Sequence, residues 1–103
     1  MVEVYNDVAL RHCPIGRSEA LNMIAEVKGA KLLRGFRGQP AADIDALADA
    51  LVNVSHLALH LERQLAELDI NPLMVLPAGQ GVKAVDALIV LRQEQREQLS
   101  KTA

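Results

Sequence analysis

The sequence predicts an α+β fold in which a small antiparallel sheet has two helices packed on one face. Three observations predict it: an alternating apolar pattern opens the chain, two helical stripes follow, and two strand-like runs enclose a Pro- and Gly-containing turn near the end. The 103 residues correspond to one domain, and half of them are hydrophobic, which is enough for a core. With one Phe, one Tyr and no Trp, that core is aliphatic.

The first two elements are a strand and a helix. The alternating pattern is typical of a half-buried strand, and its apolar face holds Val2, Val4, Val8 and Leu10. The Cys-Pro-Ile-Gly sequence of residues 13–16 ends it. Ser18 is then predicted to cap a first helix, which we expect to end near Gly29.

The second helix has the clearest helical periodicity, with Asp43 as its predicted N-cap. Its apolar stripe consists of Ile44, Leu47, Leu51, Val54, Ala58 and Leu61. A strand-like run over 66–76, a turn over 77–80 and a partner strand over 82–90 follow. We expect residues 1–91 to form the domain and the polar residues 92–103 to form a tail. The sheet face without helices is left open, so we expect another domain, another subunit or a second copy of the chain to cover it.

Composition excludes several classes of partner. A net charge of −2 and a pI near 5.9 provide no electrostatic footprint for nucleic acid or for an anionic membrane. The near absence of aromatic residues argues against stacking on single-stranded nucleic acid. No apolar run approaches the roughly 20 residues that span a bilayer. A single cysteine, Cys13, fits a reducing compartment. We therefore expect a cytoplasmic protein.

The strongest functional signal lies on the predicted hairpin. Asp69 and Asn71 alternate with apolar residues on the first strand, and Asp86 lies on the second. If residues 77–80 form a four-residue loop, Asn71 lies directly opposite Asp86, with Cβ atoms about 4.5–5.5 Å apart. Oxygen ligands of this kind suit Mg²⁺. A five-residue loop would put the two on opposite faces unless a bulge restored the phase. The alternation is equally typical of the solvent-exposed face of an edge hairpin.

Two motifs on this hairpin resemble a known family. The sequence ELDINPL over residues 67–73, a turn, and AVDA over residues 84–87 are similar to the C-terminal end of the ATP-grasp domain in NDP-forming acyl-CoA synthetases. That family includes ADP-forming acetyl-CoA synthetase, and the succinyl-CoA synthetase beta chain is a more distant relative. Agreeing segments occur in the family's order at residues 2–4, 7–9, 11–14, 32–38 and 40–43. The resemblance covers residues 2 to 91 and implies the second half of an ATP-grasp domain.

The resemblance also implies roles for five residues. Asn71 and Asp86 would bind the Mg²⁺ of the complex with ATP or ADP, and Asp69 would lie near the phosphoryl group in transfer. Glu3 resembles a position that faces the nucleotide cleft, and Arg37 lies in a Gly-containing motif that can contact phosphate. The alternatives for Glu3 and Arg37 are an ordinary surface position and a solvated loop.

The implied reaction interconverts acyl-CoA, ADP and phosphate with acid, CoA and ATP. The resemblance implies that the first half of the ATP-grasp domain and a CoA-binding domain or subunit act as partners, since neither is matched here. Alone, the chain is not expected to bind ATP well or to be active. Two alternatives stay open: a non-catalytic regulatory or interaction module, as in relatives fused to a protein acyltransferase domain, and a small interaction domain with coincidental motifs.

Two other pairs of residues could suggest chemistry. His56 and His60 have a spacing that can bind metal on a helix, but their polar neighbours favour an exposed stripe. His12 beside Cys13 could suggest a nucleophile, but no partner acid is identifiable in the sequence. Neither pair is predicted to be a site.

Overall fold

The computed structural model describes residues 8–27, 33–35, 38 and 40–93. Its elements in chain order are α1 (Arg17–Glu26), α2 (Ile44–His60), β1 (Leu65–Ile70), β2 (Leu73–Val75), β3 (Val82–Ala84) and β4 (Ala87–Leu91). In this part of the chain, two helices and a small antiparallel ribbon make up an α+β fold, as predicted. Neither helix is long and apolar enough to cross a membrane, among the residues described.

Only the last part of the predicted first strand lies among the described residues. Its residues 1–7 lie outside the described residues. Residues 8–11 form no strand, and the side chains of Val8 and Leu10 are strongly exposed. The alternating pattern therefore does not produce a strand in its described part, because no neighbouring ladder binds that backbone there.

Helix α1 begins one residue after Gly16, so the prediction that Ser18 caps it is wrong. Gly16 O accepts the N–H of Ala20 at 3.0 Å, and no side chain caps the helix. The reason is tertiary: Ile15 is buried in the core, and its N–H donates to Ser55 Oγ at 3.1 Å. The chain must therefore turn into the helix immediately after Ile15.

Helix α2 begins as predicted, with Asp43 as its N-cap. The Asp43 carboxylate accepts the N–H of Ala46 at 3.0 Å, which satisfies one of the free donors of the first turn. The core lies between α1 and α2, and its buried apolar side chains are Ile15, Ala20, Ile24 and Ala48. The two alanines, Ala20 and Ala48, are fully buried there.

The hairpin has the register that the four-residue loop predicts. β1 pairs with β4 and β2 pairs with β3, both antiparallel, and Leu76 N–H donates to Gly81 O at 3.0 Å across the turn. The ribbon divides into two ladders at the Asn71–Pro72 step, since proline has no N–H to donate. Bonds from Asn71 N to Asp86 O and from Val85 N to Pro72 O, each 3.0 Å, connect them. A register irregularity lies near Ala66.

Helix α2 lies against β2 and β3, which attaches the ribbon to the helices near its turn. Between Leu65 and Gln93 no residue is buried. Arg92, where the polar tail is predicted to begin, still donates from its N–H to Gln64 O at 2.7 Å. Residues 94–103 of that predicted tail lie outside the described residues.

Candidate functional site

Asn71 and Asp86 meet where the two ladders of the ribbon join. The Asn71 N–H donates to Asp86 O at 3.0 Å, and the pairs on either side continue the same register. Directly opposite residues of an antiparallel pair present their side chains on the same face. Both side chains are exposed. The register therefore agrees with the expected opposition of the two residues, whereas the common face of their side chains and their role as metal ligands stay predictions.

The Asp86 carboxylate is partly fixed by its own backbone. One oxygen, Oδ1, accepts the N–H of Ala87 at 2.8 Å, which orients the group. The other oxygen has no hydrogen bond to a described residue and is available for a ligand. A carboxylate oxygen opposite an amide oxygen is a hard donor set, and it fits a divalent cation that keeps most of its waters. The donors present therefore fit Mg²⁺.

Asp69 lies in β1, two residues and about 7 Å along the chain before Asn71, which directly follows the end of that strand. It is exposed, and its partner across the ribbon is Leu88. Glu67 precedes it by another two residues and is also exposed. Among the described residues, neither these two carboxylates nor Asp86 is in a salt bridge. Carboxylates that are close together in this way favour a nearby cation by electrostatic attraction.

The remaining residues that the sequence singled out are either not described or lie elsewhere in the chain. Glu3 and Arg37 lie outside the described residues. His56 and His60 are exposed on α2, and His12 and Cys13 are exposed before α1. In the described part of the chain no group of three or more His, Cys, Asp or Glu side chains could hold a metal. A cation at Asn71 and Asp86 would accordingly need water, phosphate or residues from outside this part for its remaining positions.

Sequence reasoning missed a second contact of Asp43. Besides capping α2, its Oδ2 accepts the N–H of Gly81 at 2.7 Å, and its own N–H donates to Leu76 O at 2.7 Å. Hydrogen bonds from the backbone N–H of Ala46, and then from that of Gly81, hold the pKa of Asp43 below its usual value. The sequence signals only the cap, because Gly81 lies 38 residues further along the chain.

An open groove of about 430 Å³ lies between the helices and β1. Its lining is mostly apolar and includes Ile15, Leu51, Val54, Ala58, Leu65 and Leu68. It does not include Asp69, Asn71 or Asp86. These three predicted site residues therefore lie outside the groove, although the neighbouring Glu67 lines it.

Comparison with known proteins decides the family. A model of the ATP-grasp domain matches residues 1–91, most of the chain. The chain belongs to the ATP-grasp domain family. The predicted resemblance is therefore confirmed, and several of the similar proteins are named as ADP-forming CoA ligases.

Two relatives illustrate how the matched segment is used elsewhere. This ATP-grasp chain is 47% identical over 93 residues to acetate–CoA ligase (ADP-forming) I of Archaeoglobus fulgidus, covering 90% of the chain and 13% of that protein. It is 42% identical over 91 residues to the beta subunit of acetate–CoA ligase (ADP-forming) II of Pyrococcus furiosus, covering 88% of the chain and 39% of that subunit. The chain thus spans well under half the length of either relative.

A solved structure shows the same fold. The dinucleotide-forming acetyl-coenzyme A synthetase 1 of Candidatus Korarchaeum cryptofilum, in complex with coenzyme A and Mg-AMPPCP, is 43% identical and superposes with a TM-score of 0.80. The match covers 86% of this chain and 40% of that one. Since the identity is high and the fold agrees, the ATP-grasp assignment has both sequence and structural support.

Proposed function

We propose that this ATP-grasp segment supplies the metal-binding edge of the Mg–nucleotide site in an NDP-forming acyl-CoA synthetase. Asn71 and Asp86 would be Mg²⁺ ligands, and Asp69 would lie beside the phosphoryl group in transfer. The observation that carries the proposal is the direct opposition of Asn71 and Asp86 across the ribbon, with the backbone N–H of one bonded to the carbonyl of the other.

The chemistry of the pair suits a nucleotide-bound ion. Mg²⁺ is usually held by one or two protein oxygens plus waters and substrate phosphates, rather than by a closed protein cage. One carboxylate and one neutral amide leave the ion with excess positive charge toward the phosphates. When bound, the ion neutralises charge on the phosphate oxygens. The exposed position of both side chains leaves room for the nucleotide.

The proposed parent reaction interconverts acyl-CoA, ADP and phosphate with acid, CoA and ATP. The support is similarity to proteins named acetate–CoA ligase (ADP-forming), of which this chain matches only a part. The rest of the ATP-grasp domain and a CoA-binding domain or subunit would be its partners. Glu3 and Arg37 are proposed to face the nucleotide. We propose a cytoplasmic location, where the exposed Cys13 stays reduced.

A paramagnetic titration tests the metal pair directly. Mn²⁺ replaces Mg²⁺ at oxygen sites and broadens the NMR signals of nuclei close to it. We expect the signals of Asn71 and Asp86 to broaden first. Asp86→Asn should weaken binding by more than about tenfold because it removes the charged ligand. Glu67→Gln is the matched control, because it removes an equal charge from the same face about 13 Å along the strand. Equal affinity in both variants would reject Asp86 as a ligand.

A chimaera tests the reaction. This chain would replace the matched 39% of the Pyrococcus furiosus beta subunit. ATP formation from acetyl-CoA, ADP and phosphate would then be assayed with the rest of that ligase. We expect activity that Asp86→Asn lowers by about a hundredfold or more and Glu67→Gln leaves nearly unchanged. A chimaera that assembles and binds Mn²⁺ but forms no ATP would instead favour a regulatory module.

A further inference from the structure

Asp43 contacts the hairpin where its loop closes. The closing pair of the ribbon, Leu76 and Gly81, has one bond of its own, from Leu76 N–H to Gly81 O at 3.0 Å. The two remaining groups of that pair both bond Asp43. Its N–H donates to Leu76 O at 2.7 Å, and its Oδ2 accepts the Gly81 N–H at 2.7 Å. One residue ahead of α2 therefore holds both strands of the hairpin.

Neighbouring contacts reinforce this junction. Ala42 forms an isolated antiparallel bridge with Pro77, and Ala78 N–H donates to Ala41 O at 2.9 Å. Gly81 has a φ of 87°, which glycine adopts without strain and other residues rarely do. The segment before α2 thus runs beside the turn and is joined to it by this isolated bridge, and Asp43 adds a charged contact with the ribbon.

Register is the property that this junction controls. A slip of one residue would present a different pair to Asp43 and would move Asn71 out of opposition with Asp86. Packing constrains the ribbon weakly, since no residue between Leu65 and Gln93 is buried. Directional hydrogen bonds to a fixed charged group can supply the specificity that packing does not.

We propose that Asp43 is a positioning residue for the metal pair, holding the ribbon in the register that keeps Asn71 opposite Asp86 about 17 Å away. The inference rests on the proposed function of that pair. Asp43 itself is too distant to touch a cation there, so it acts only through the hairpin.

The test uses variants that separate capping from bridging. Asp43→Ser keeps a good N-cap for Ala46 N–H, but its side chain is too short to reach Gly81 as well. Asp43→Asn has a single acceptor oxygen for the two donors, and it serves as a second variant if the first does not fold. Asp45→Ser is the matched control, because Asp45 is also in the first turn and its described contact is with Arg17 rather than the hairpin.

Two quantities are measured on the full chain. Hydrogen exchange of the Asn71 amide reports the cross-strand bond, and the Mn²⁺ affinity reports the pair. In Asp43→Ser we expect Asn71 to exchange about tenfold faster and Mn²⁺ affinity to fall about three- to tenfold, with unchanged helicity. Asp45→Ser should resemble the native chain in both. If Asp43 only caps α2, both the Asn71 exchange rate and the Mn²⁺ affinity of Asp43→Ser would also match those of the native chain.

The inference is overturned if Asn71 exchange in Asp43→Ser matches the native chain. It is also overturned if the native chain binds Mn²⁺ and Asp43→Ser binds it with the same affinity, even though the Asn71 amide of the variant exchanges faster. Failure of the proposed function is distinguishable, because then the native chain itself shows no Mn²⁺ effect at Asn71 and Asp86. The exchange measurement would still decide whether Asp43 fixes the register.

Discussion

The helical half and the hairpin half of this chain are held together by different forces. Between α1 and α2 lie all the buried apolar side chains of the described residues, among them Ile24 at 4% exposure and two fully buried alanines. The ribbon from β1 to β4 has none, and Ile89 is 59% exposed. Packing defines the helix pair, whereas backbone ladders and the Asp43 bridge define the ribbon. The candidate site lies in the half that has less packing of its own.

The weak packing of the ribbon is consistent with the fact that the chain matches only a small part of its relatives. Large apolar side chains remain exposed on the ribbon, namely Met74, Val85, Leu88 and Ile89. Exposed apolar surface of this extent is typical of contact with another domain or subunit. We propose that the remaining part of the ATP-grasp domain, or a second copy of the chain, covers it.

The largest difference in stability between the two halves is expected when one isoleucine in each half is shortened to alanine. Ile24→Ala removes a buried side chain from the helix core, and we expect it to lower the free energy of unfolding by about 2–4 kcal/mol. Ile89→Ala makes the same chemical change on the ribbon, where the cross-strand contact with Leu68 accounts for less than about 1 kcal/mol. Urea denaturation measures both. Similar losses would contradict the division into a packed half and an open half.

The second-largest loss of stability is expected from removing the hydrogen bond between Ser55 of α2 and Ile15, which precedes α1. Ser55 is buried, donates to Val52 O at 2.7 Å and accepts the N–H of Ile15. Ser55→Ala leaves that N–H without a partner, and we expect a loss of about 1–3 kcal/mol in thermal or urea unfolding. Ser18→Ala, on the exposed side of α1, is the control and should change stability little. Equal losses of stability in Ser55→Ala and Ser18→Ala would mean that the bond between Ser55 and Ile15 does not stabilise the helical half.

Acid should weaken the bridge between the halves. Because hydrogen bonds lower the pKa of Asp43 in the folded state, its contribution to stability is present above its unfolded pKa, and it is lost as pH falls through the lower folded pKa. The stability gap between the native chain and Asp43→Asn should therefore be largest near neutral pH and should shrink below about pH 4. Urea midpoints at pH 7 and pH 3 measure this gap. A gap that is constant with pH would indicate that the Asp43 charge does not contribute.

The smallest effect is expected for the ion pairs on the helix surface. Arg17 of α1 bonds Asp45 and Asp49 of α2, and all three side chains are exposed. Arg17→Gln should cost less than about 1 kcal/mol and should cost less still in high salt. Arg63→Gln, which removes an exposed charge without breaking a described ion pair, is the control. A large loss that salt does not reduce would mean that these contacts, and not only burial, define the helical half.

Local signals were sufficient for several predictions. Asp43 was identified as the N-cap of α2 because capping depends on a side chain and the next few amides. The register of the hairpin followed from the four-residue loop, and with it the opposition of Asn71 and Asp86. The family resemblance came from motifs on the same hairpin. Whether the pair binds metal stays a prediction.

Predictions failed where distant parts of the chain decide the local structure. Ser18 has the right chemistry for a cap, yet Gly16 takes that place because burial of Ile15 and its bond to Ser55 fix the entry into α1. Alternation at Val8 and Leu10 predicts a strand, but a strand requires a partner, and a one-dimensional pattern does not contain one.

The sequence by itself determined the α+β class, the cap of α2, the hairpin register and the family, because each depends on residues within a few positions or on a motif with a fixed spacing. Only the tertiary structure revealed that Asp43 bonds Gly81 and Leu76, that the buried apolar core of the described residues lies between the helices, and that no residue of the ribbon is fully buried. These features join residues far apart along the chain, and their positions follow from how the helix pair packs.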